Sequence, residues 1–533
     1  MTADARAGAD LEIWQHRFAG VCDEMGGALQ RGAYSPNIKE RTDLSCALFS
    51  PDGELVAQAE HIPVHLGSMA ASVSAALDAF PDLVAGDQVV LNDPFRGGTH
   101  LNDVTFVAAV SSGDGTPLGY VANRAHHADV GGAVPGSLSA DAIDAIAEGL
   151  TIPPVRAVRD EEWDADLRTM LLANTRTPVE RAGDLDAQLG ANRIGARRLA
   201  ELARRHGSEA AVSASERLRD HGERRLGAAL REAYERAGGT LEFEDDLEGP
   251  EGELVPVRVR VTLEPDRLVA DFTGTGAARR GVPSAVEAVT RACLEFVVRC
   301  CVGSDVPRNG GASRLLHLVV QPGTVVAARP PVPVGAGNVE ASQRIADVLL
   351  GALAPAFPDR IGAASQGTMN NVLVGGTGPA GPFVYYETIG GGQGGRPGAP
   401  GQSGIHTGMT NTANTPLEAL EAAYPLRVLR YGLRRDSGGA GAHPGGNGIE
   451  RDLQLLTDAT VSLITERRVS QPWGLAGGEP GAVGENWLLP GGDEARAERL
   501  PGKCTVRLRA GDVLRMLTPG GGGWGTPRPS NDL

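Results

Sequence analysis

Two histidine and aspartate motifs, separated by one β-like stretch, constrain the fold of this chain more than any other feature. The first is NDPFRGGTHLNDV at 92–104, and the second is ANRAHHADVGG at 122–132. His100 and Asp103 lie three residues apart, so both side chains can reach one cation from a turn, and the later histidine pair can supply a third ligand. The pattern therefore predicts a fold that brings both motifs to the ends of neighbouring strands.

These residue types suit a catalytic metal site. Imidazole nitrogens and carboxylate oxygens bind zinc, manganese or iron, and three protein ligands leave one position open for water or substrate. The alternative is that these aspartates and histidines cap turns and satisfy loop backbone. The spacing alone leaves both interpretations open.

Two adjacent histidines in the second motif offer a choice of ligand. Successive side chains of an extended segment face opposite ways, so only one of the two points to the cation. We predict that His126 is the ligand, with His127 and Asp129 as orienting neighbours. Glycines beside both motifs allow close approach of the backbone, and we expect the ligands at strand ends on an edge of a sheet.

A further histidine motif, HIPVHLGSM, precedes both at 61–69. His61 and His65 have the four-residue separation of two ligands on one helical face, but Pro63 between them argues against a helix. We therefore place His65 beside the metal site as a lining or capping residue.

Hydrophobic periodicity predicts the surrounding elements. Apolar residues recur at three and four residue steps from Leu11 to Leu29, which predicts a long opening helix. Strands are predicted at 44–48, 55–59, 88–91, 104–110, 118–122, 257–263 and 268–272, and helices at 69–80 and 342–353. A charged, alanine-rich stretch from about 160 to 236 predicts helices whose charges are solvated or meet a subunit.

The length of 533 residues is more than one hydrophobic core accommodates, and it indicates several packed domains. We predict an α+β, multidomain chain with a helical middle region and a β-rich C-terminal part. The predicted units are an α/β region carrying the metal site at 1–160, a helical region at 161–240, a glycine-rich α+β region at 241–445 and a β-rich region at 446–533.

The wording of these stretches resembles the hydantoinase B family, the B-type subunits of ATP-dependent hydantoinases and 5-oxoprolinases, to which the alpha subunits of acetone and acetophenone carboxylases are related. The resemblance covers nearly the whole chain. Its motifs are ERTDLSCALFSPDGELVAQ at 40–58, HIPVHLGSM at 61–69, GDQVVLNDPFRGGTHLNDV at 86–104, AHHADVGGAVPGS at 125–137, TNTANTPLEALEAAYPL at 410–426 and DSGGAGAHPGGNGIER at 436–451. Asp43, in the first of these motifs, joins the residues expected around the site.

The resemblance implies that this chain is the B-type subunit of an ATP-dependent amidohydrolase acting on a hydantoin, 5-oxoproline or another lactam. It further implies a separate A-type subunit that phosphorylates the amide oxygen with ATP, after which the metal site delivers water to the activated carbon, in a hetero-oligomer. One alternative is a ketone carboxylase subunit of the acetone or acetophenone type. The other is a noncatalytic scaffold subunit whose metal is structural.

Charge and lysine usage exclude other function classes. A net charge of -16 argues against nucleic acid and anionic membranes as partners, because affinity for both rests on basic residues. Lys39 and Lys503 are the only lysines, and neither is followed by Ser or Thr as a Walker A loop requires. We therefore expect no P-loop nucleotide site in this chain.

The six cysteines show no CxxC spacing, and the start of the chain lacks a signal-peptide pattern. No apolar run approaches the length needed to span a bilayer. These features predict a reduced, cytoplasmic protein. No GxSxG elbow supports an independent serine hydrolase.

Two later motifs have a functional and a structural interpretation. GGGQGG at 390–395 is either a phosphate cradle or a tight structural loop at a subunit interface, and the lack of a strand-to-helix context favours the loop. Asn414 or Thr415 with Glu418 is typical of a capping box before a helix, with Pro416 at an early helical position.

Overall fold

A computed structural model of the chain describes residues 3–59, 62–303 and 306–527. These residues form both helices and several sheets, which confirms the α+β class. The helices are α1 (Ala3–Gly32), α2 (Pro36–Lys39), α3 (Pro63–Leu66), α4 (Met69–Ala79), α5 (Ala165–Ala173), α6 (Pro178–His206), α7 (Ser208–Ala237), α8 (Glu287–Cys301), α9 (Gly310–Ser313), α10 (Ser342–Leu353) and α11 (Leu417–Ala423).

The first sheet carries both histidine and aspartate motifs. Its strands are β1 (Leu44–Phe49), β2 (Leu55–Ala59), β3 (Gln88–Leu91), β4 (Asp103–Ser111), β5 (Pro117–His126), β6 (Val155–Arg159) and β7 (Glu162–Trp163), in the order β2-β1-β5-β4-β3-β6-β7. The predicted strands are confirmed, but β4 and β5 lie in the middle of the sheet. The expectation of a site on a sheet edge is therefore wrong, although the ligands do lie at strand ends.

Two different apolar layers cover the faces of this sheet. Trp14, Phe18 and Met25 of the α1 stripe pack with α6 and α7 on one face. Met69 and Val73 of α4 cover the other face. Each fully buried large side chain contributes on the order of 2 kcal/mol relative to exposure, so the sheet is anchored on both sides.

The second sheet follows the predicted helical region. Its strands are β8 (Gly239–Glu248), β9 (Leu254–Leu263), β10 (Leu268–Asp271) and β11 (Leu316–Val319), in the order β11-β10-β9-β8. Val257, Val259 and Val261 are buried while Arg258 and Arg260 are exposed, as the alternation predicts. The predicted helix at 342–353 is α10, which packs against β8 and β9.

Two further sheets form the β-rich C-terminal part. One has the order β13-β12-β16-β19 and the other the order β14-β15-β20-β17-β18. Their strands are β12 (Asn371–Gly378), β13 (Gly381–Glu387), β14 (Leu426–Arg434), β15 (Gly448–Leu455), β16 (Ala459–Ile464), β17 (Glu485–Leu489), β18 (Glu498–Leu500), β19 (Lys503–Leu508) and β20 (Val513–Leu517). The boundaries at 160, 240 and 445 stay predictions.

Glycine-rich segments 390–395, 438–446 and 519–523 pack on one another, and together they form what we call the glycine core. Their backbones exchange hydrogen bonds directly, as from Gly392 N to Pro519 O (3.0 Å) and from Gly521 N to Gly446 O (2.9 Å). A Cβ atom on Gly520 would lie 1.8 Å from Ser437 O, so only glycine fits there. The 390–395 cluster is therefore a tight structural loop packed within this chain, and its place at a subunit interface stays a prediction.

Two local predictions are wrong. Pro63 does not exclude a helix, because α3 begins at Pro63, where its missing N–H is not needed. His61 lies outside the described residues. α11 begins at Leu417 after Pro416 without a side-chain cap, since Asn414 bonds to His406 and Tyr431 instead.

None of the helices in the described ranges is long and apolar enough to cross a membrane.

Candidate metal centre

Strand register brings the two predicted motifs together. Asp103 opens β4 and pairs directly with His126 at the end of β5. Opposite residues of an antiparallel pair project from the same face about 5 Å apart, so the two side chains meet. His100 lies in the preceding turn, which Asp103 N closes by donating to His100 O (3.1 Å). The three predicted ligands therefore converge, as the motifs required.

The convergence is close enough to hold one cation. Oδ1 of Asp103 lies 2.9 Å from His100 Nε2 and 3.2 Å from His126 Nδ1. One ligand atom from each residue fits within a group whose members are all within 4.8 Å of one another. All three residues are buried, at 3% exposure or less.

The second carboxylate oxygen of Asp103 is held by other residues. Thr99 Oγ1 and Asn338 Nδ2 donate to Oδ2 at 2.8 and 3.1 Å, and His65 Nε2 lies 3.3 Å from it. The two oxygens of the carboxylate therefore have different neighbours. Oδ1 lies beside the two imidazoles of the cluster, and Oδ2 lies beside the residues that hold the carboxylate in place. His65, predicted to lie beside the site, is among those supports, and Ser45 Oγ lies 3.1 Å from its Nδ1.

The electrostatics fit a metal-binding carboxylate. Burial acts to raise the pKa of Asp103, but the His100 and His65 imidazoles outweigh it and hold that pKa well below its usual value. Burial lowers the pKa of His126, which keeps this imidazole neutral. A neutral imidazole and an ionised carboxylate are the protonation states in which these groups bind metal.

Histidine nitrogens without hydrogen bonds are a second, independent indication of a metal site. Within the described residues, Nε2 of His126 and both ring nitrogens of His100 are buried and make no hydrogen bond of good geometry. Buried polar atoms without partners are uncommon, and each calls for an explanation. A cation bound by His100, Asp103 and His126 would give one nitrogen of each imidazole a partner, so the residues fit the predicted metal.

His127 and Asp129 lie away from this cluster. Ala122 and His126 share the face of β5 that α4 covers, whereas His127 points toward α6, where its Nε2 lies 2.8 Å from Gln188 Oε1. Burial, followed by the Arg181 charge, lowers the pKa of His127 to about 4. Asp129 accepts hydrogen bonds from Gly136 N (3.1 Å) and Arg176 Nη1 (2.8 Å). No hydrogen bond or ion pair found in the described ranges joins either side chain to Asp103.

Asp43 lies close to the cluster at the start of β1. Its backbone carbonyl accepts a hydrogen bond from His126 N at 3.0 Å, and its side chain is buried. The Asp43 charge acts to raise the pKa of both His100 and His126. Asp43 is thus joined to the cluster through its backbone, and its charge acts on both imidazoles.

Sequence reasoning missed the residues that reach the cluster from the second half of the chain. The Tyr386 ring stacks on His126 with centroids 4.7 Å apart, and its hydroxyl donates to Asn371 Oδ1 at 2.9 Å. The Arg41 guanidinium also lies over the Tyr386 ring, 5.0 Å from its centroid. The only sequence signal for these residues is the polar, glycine-rich segment around Asn338, GAGNVEASQ. Nothing in that segment indicated contact with Asp103.

A fully buried arginine joins the elements that carry the cluster. Arg124, two residues before His126 on the same face, donates to Thr105 Oγ1 on β4 (2.9 Å) and to Ser72 Oγ (2.7 Å) on α4. It also donates to the Ser68 hydroxyl, directly after α3. Burial lowers the pKa of Arg124 to about 10, and the Asp103 charge acts against that shift.

A cavity of about 770 Å³ lies elsewhere, bordered by residues that include Glu248, Arg468, Asn486 and Lys503. Its lining contains none of the cluster residues. This large opening in the surface and the candidate metal centre are therefore different places, and the chemistry of the side chains, not the size of the opening, marks the site.

Comparison with known proteins shows the family of this chain. The family model for hydantoinase B/oxoprolinase matches residues 8–527. The chain belongs to the hydantoinase B/oxoprolinase family. This confirms the resemblance carried by the motifs.

Relatives in this family differ greatly in length. An uncharacterized protein of Methanocaldococcus jannaschii is 42% identical, and the match covers 97% of this chain and 90% of that protein. The 5-oxoprolinase 1 of Arabidopsis thaliana is 37% identical over 97% of this chain, but the match spans only 42% of the plant protein. A putative B-type subunit of a D-/L-hydantoinase from Pseudomonas sp. is 30% identical over 95% of this chain and 88% of its own length.

Solved structures share the fold. The ATP-dependent caprolactamase from Pseudomonas jessenii superposes with a TM-score of 0.90 at 26% identity, covering 98% of this chain and 92% of that one. The nucleotide-free acetone carboxylase structure gives a TM-score of 0.89 at 18% identity, covering 97% and 75% of the two chains. At that identity the second match shows the fold alone.

Proposed function

We propose that this chain is the B-type catalytic subunit of an ATP-dependent hydrolase that opens a cyclic amide such as a hydantoin, 5-oxoproline or another lactam. The observation that carries the proposal is the buried cluster of His100, Asp103 and His126 in a member of this family. Relatives named as a 5-oxoprolinase, a B-type hydantoinase chain and a caprolactamase support cyclic amides as the substrate class.

The lengths of the relatives support a partner subunit. The chain matches less than half of the plant 5-oxoprolinase, so more than half of that protein has no counterpart here. The two lysines provide no Walker A loop. We place ATP binding and amide activation on a separate A-type chain that corresponds to the missing part.

The division of labour makes chemical sense. An amide is stabilised by resonance, and phosphorylation of its oxygen makes the carbon a much better electrophile. His100, Asp103 and His126 would hold zinc, manganese or iron, and a divalent cation there supplies a Lewis acid that lowers the pKa of water toward neutrality. Oδ2 of Asp103 stays with Thr99 and Asn338, which fixes the direction of Oδ1.

Other residues of this chain shape the reaction space. Tyr386 stacks on His126 and keeps that ring in one orientation. Asp43 is buried beside the cluster, and we assign its carboxylate a supporting role through the charge that it brings near His100 and His126. The buried shell excludes bulk water, which protects an activated amide from unproductive hydrolysis.

The test is co-purification with the A-type partner, followed by a screen for ATP-dependent ring opening of hydantoin, 5-oxoproline and caprolactam. We expect activity only with both chains, ATP and a divalent metal. Bicarbonate-dependent consumption of a ketone would instead indicate the carboxylase alternative. Unfolding on metal removal, in place of simple inactivation, would indicate a scaffold with a structural metal.

The isolated chain should neither bind nor hydrolyse ATP. Calorimetry on the purified chain, titrated with ATP and magnesium, should give no saturable signal, while the complex with its partner should bind. Saturable micromolar binding by the isolated chain would contradict this division of labour and favour a self-contained enzyme.

A further inference from the structure

A π-helical turn precedes α10 and reaches the metal cluster from more than 200 residues away. The turn spans Gly337–Ala341 and is entirely buried. π-helical turns are rare, and they frequently occur at functional sites because the extra residue redirects side chains. A Cβ on Gly337 would lie 2.0 Å from Ser284 O, so the turn is pressed tightly against the neighbouring segment.

The first side chain of this turn acts on Asp103. Asn338 Nδ2 donates to Asp103 Oδ2 at 3.1 Å, and Asn338 itself is 3% exposed. Thr99 and His65 meet the same oxygen from the N-terminal part of the chain. Asn338 is therefore the contact through which the second half of the molecule fixes this carboxylate.

A second polar side chain of this turn, Glu340, acts on the other side of the cluster. Glu340 Oε1 accepts hydrogen bonds from Met369 N (3.1 Å) and Asn371 Nδ2 (2.7 Å). Asn371 Oδ1 in turn accepts from the Tyr386 hydroxyl at 2.9 Å, and Tyr386 stacks on His126. Asn371 Nδ2 also donates to Ile464 O at 2.7 Å, so Glu340 and this carbonyl together set the amide orientation of Asn371. Through Asn371, Glu340 acts on the position of the Tyr386 ring against His126.

Glu340 suits a structural carboxyl group in a buried setting. Burial, followed by the charge of Glu466, raises the pKa of Glu340 to about 8. At neutral pH the group is therefore mostly protonated, and it accepts amide hydrogen bonds without the cost of an isolated buried charge.

We infer that Asn338 and Glu340 are positioning residues for the metal cluster, each acting on a different ligand. The inference rests on the proposed metal centre, and it adds two residues from one short turn to the determinants of its affinity. Side chains that orient metal ligands commonly contribute a factor of about 10 to 100 in affinity, which sets the size of the expected effect.

The experiment measures zinc affinity of the purified full chain by competition with a chromophoric chelator. Asn338→Ala should raise the zinc Kd by about 10-fold to 100-fold. Asn309→Ala is the matched control, because Asn309 is also a buried asparagine but bonds to Leu218 O and Gly311 N far from the cluster. Its zinc Kd should stay within about twofold of wild type, the ordinary scatter for a remote site.

Glu340 is tested by a conservative pair. Glu340→Gln keeps an acceptor for Met369 and Asn371 and should bind zinc nearly as wild type does. Glu340→Ala removes the acceptor and should weaken zinc binding by about 10-fold. The visible spectrum of Co²⁺-loaded protein should shift in Asn338→Ala and Glu340→Ala, since the geometry around the metal changes.

Folding is monitored separately through the apo Tm. If Asn338→Ala fails to fold, Asn338→Leu, which keeps a side chain of similar size without a donor, takes its place, and a wild-type Kd in that folded variant overturns the inference. A wild-type chain that binds zinc, with Asn338→Ala binding equally tightly, also overturns it and leaves the proposed function intact. A wild-type chain that binds no divalent metal overturns both proposals. Weakened zinc binding by the variants without any ring-opening activity of the complex would refute only the function.

Discussion

The metal cluster and the glycine core both bury polar groups, but they satisfy them in opposite ways. In the cluster, side chains from distant segments meet one another, and several nitrogens stay without hydrogen bonds. In the glycine core, backbone amides and carbonyls pair directly because no side chain separates the segments. The first arrangement leaves chemical groups available to a ligand, whereas the second leaves none.

This difference predicts different responses to substitution. A side chain can be removed from the cluster while the strands beneath it persist, because α1, α4 and α6 hold the sheet through apolar contacts. A methyl group added to the glycine core meets backbone, which cannot move aside without separating whole segments. Function should therefore fail first in one region and folding first in the other.

Gly520→Ala should have the largest effect. Its new Cβ would lie 1.8 Å from Ser437 O, and we expect a loss of more than about 4 kcal/mol in the free energy of unfolding, measured by urea denaturation. Gly432→Ala is the control, because nothing lies within 4 Å of that position. A soluble Gly520→Ala protein with the wild-type unfolding midpoint would remove the contrast between the two regions.

His100→Ala and Asp103→Ala should abolish metal binding but preserve the fold. Each removes a ligand, so affinity should fall by more than the factor of about 100 typical of supporting residues. Elemental analysis of the purified variants checks the loss of metal, and circular dichroism checks that the fold is preserved. Unchanged metal content in both variants would disprove the site.

His126→Ala and His127→Ala should separate two neighbouring residues. The first should lose metal. The second should keep it and destabilise the fold by about 1–3 kcal/mol, because Gln188 loses its buried partner. Metal retained in His126→Ala and lost in His127→Ala would reverse the assignment.

Glu340→Gln should change the pH dependence of stability. The pKa of Glu340 is raised to about 8 from an ordinary 4.5, so its contribution to stability is fully present below pH 4.5 and is lost as the pH rises through about 8. Glutamine does not titrate, so the Glu340→Gln variant does not lose stability in this way as the pH rises. Its free energy of unfolding relative to wild type should therefore rise by about 1.4 kcal/mol per pH unit inside this window. Parallel pH profiles for the two proteins would show that Glu340 is not protonated in the fold.

The parts of the site that the sequence predicted are those determined by local pattern. Strand-forming apolar runs indicated β4 and β5, and the three-residue spacing of His100 and Asp103 lets both side chains reach one cation from a turn. The opposite orientation of adjacent strand residues distinguished His126 from His127, and His127 indeed faces α6.

The contribution of the second half of the chain was not predictable in this way. Asn338 and Tyr386 meet the cluster only through tertiary packing, and the π-helical turn has no periodic signature of its own. Pro63 was misjudged for a related reason, since a proline that interrupts a helix is favourable at its first position.

The burial of the cluster has a kinetic consequence. His65, His100, Asp103 and His126 are each 3% exposed or less, so under the proposed function a substrate would reach them only after part of the surrounding shell moves. The chemical step of the proposed reaction would then wait for an opening motion, and turnover would be no faster than that motion. The frequency of that opening, and not the strength of the nucleophile, would set the upper limit on the rate of the proposed enzyme.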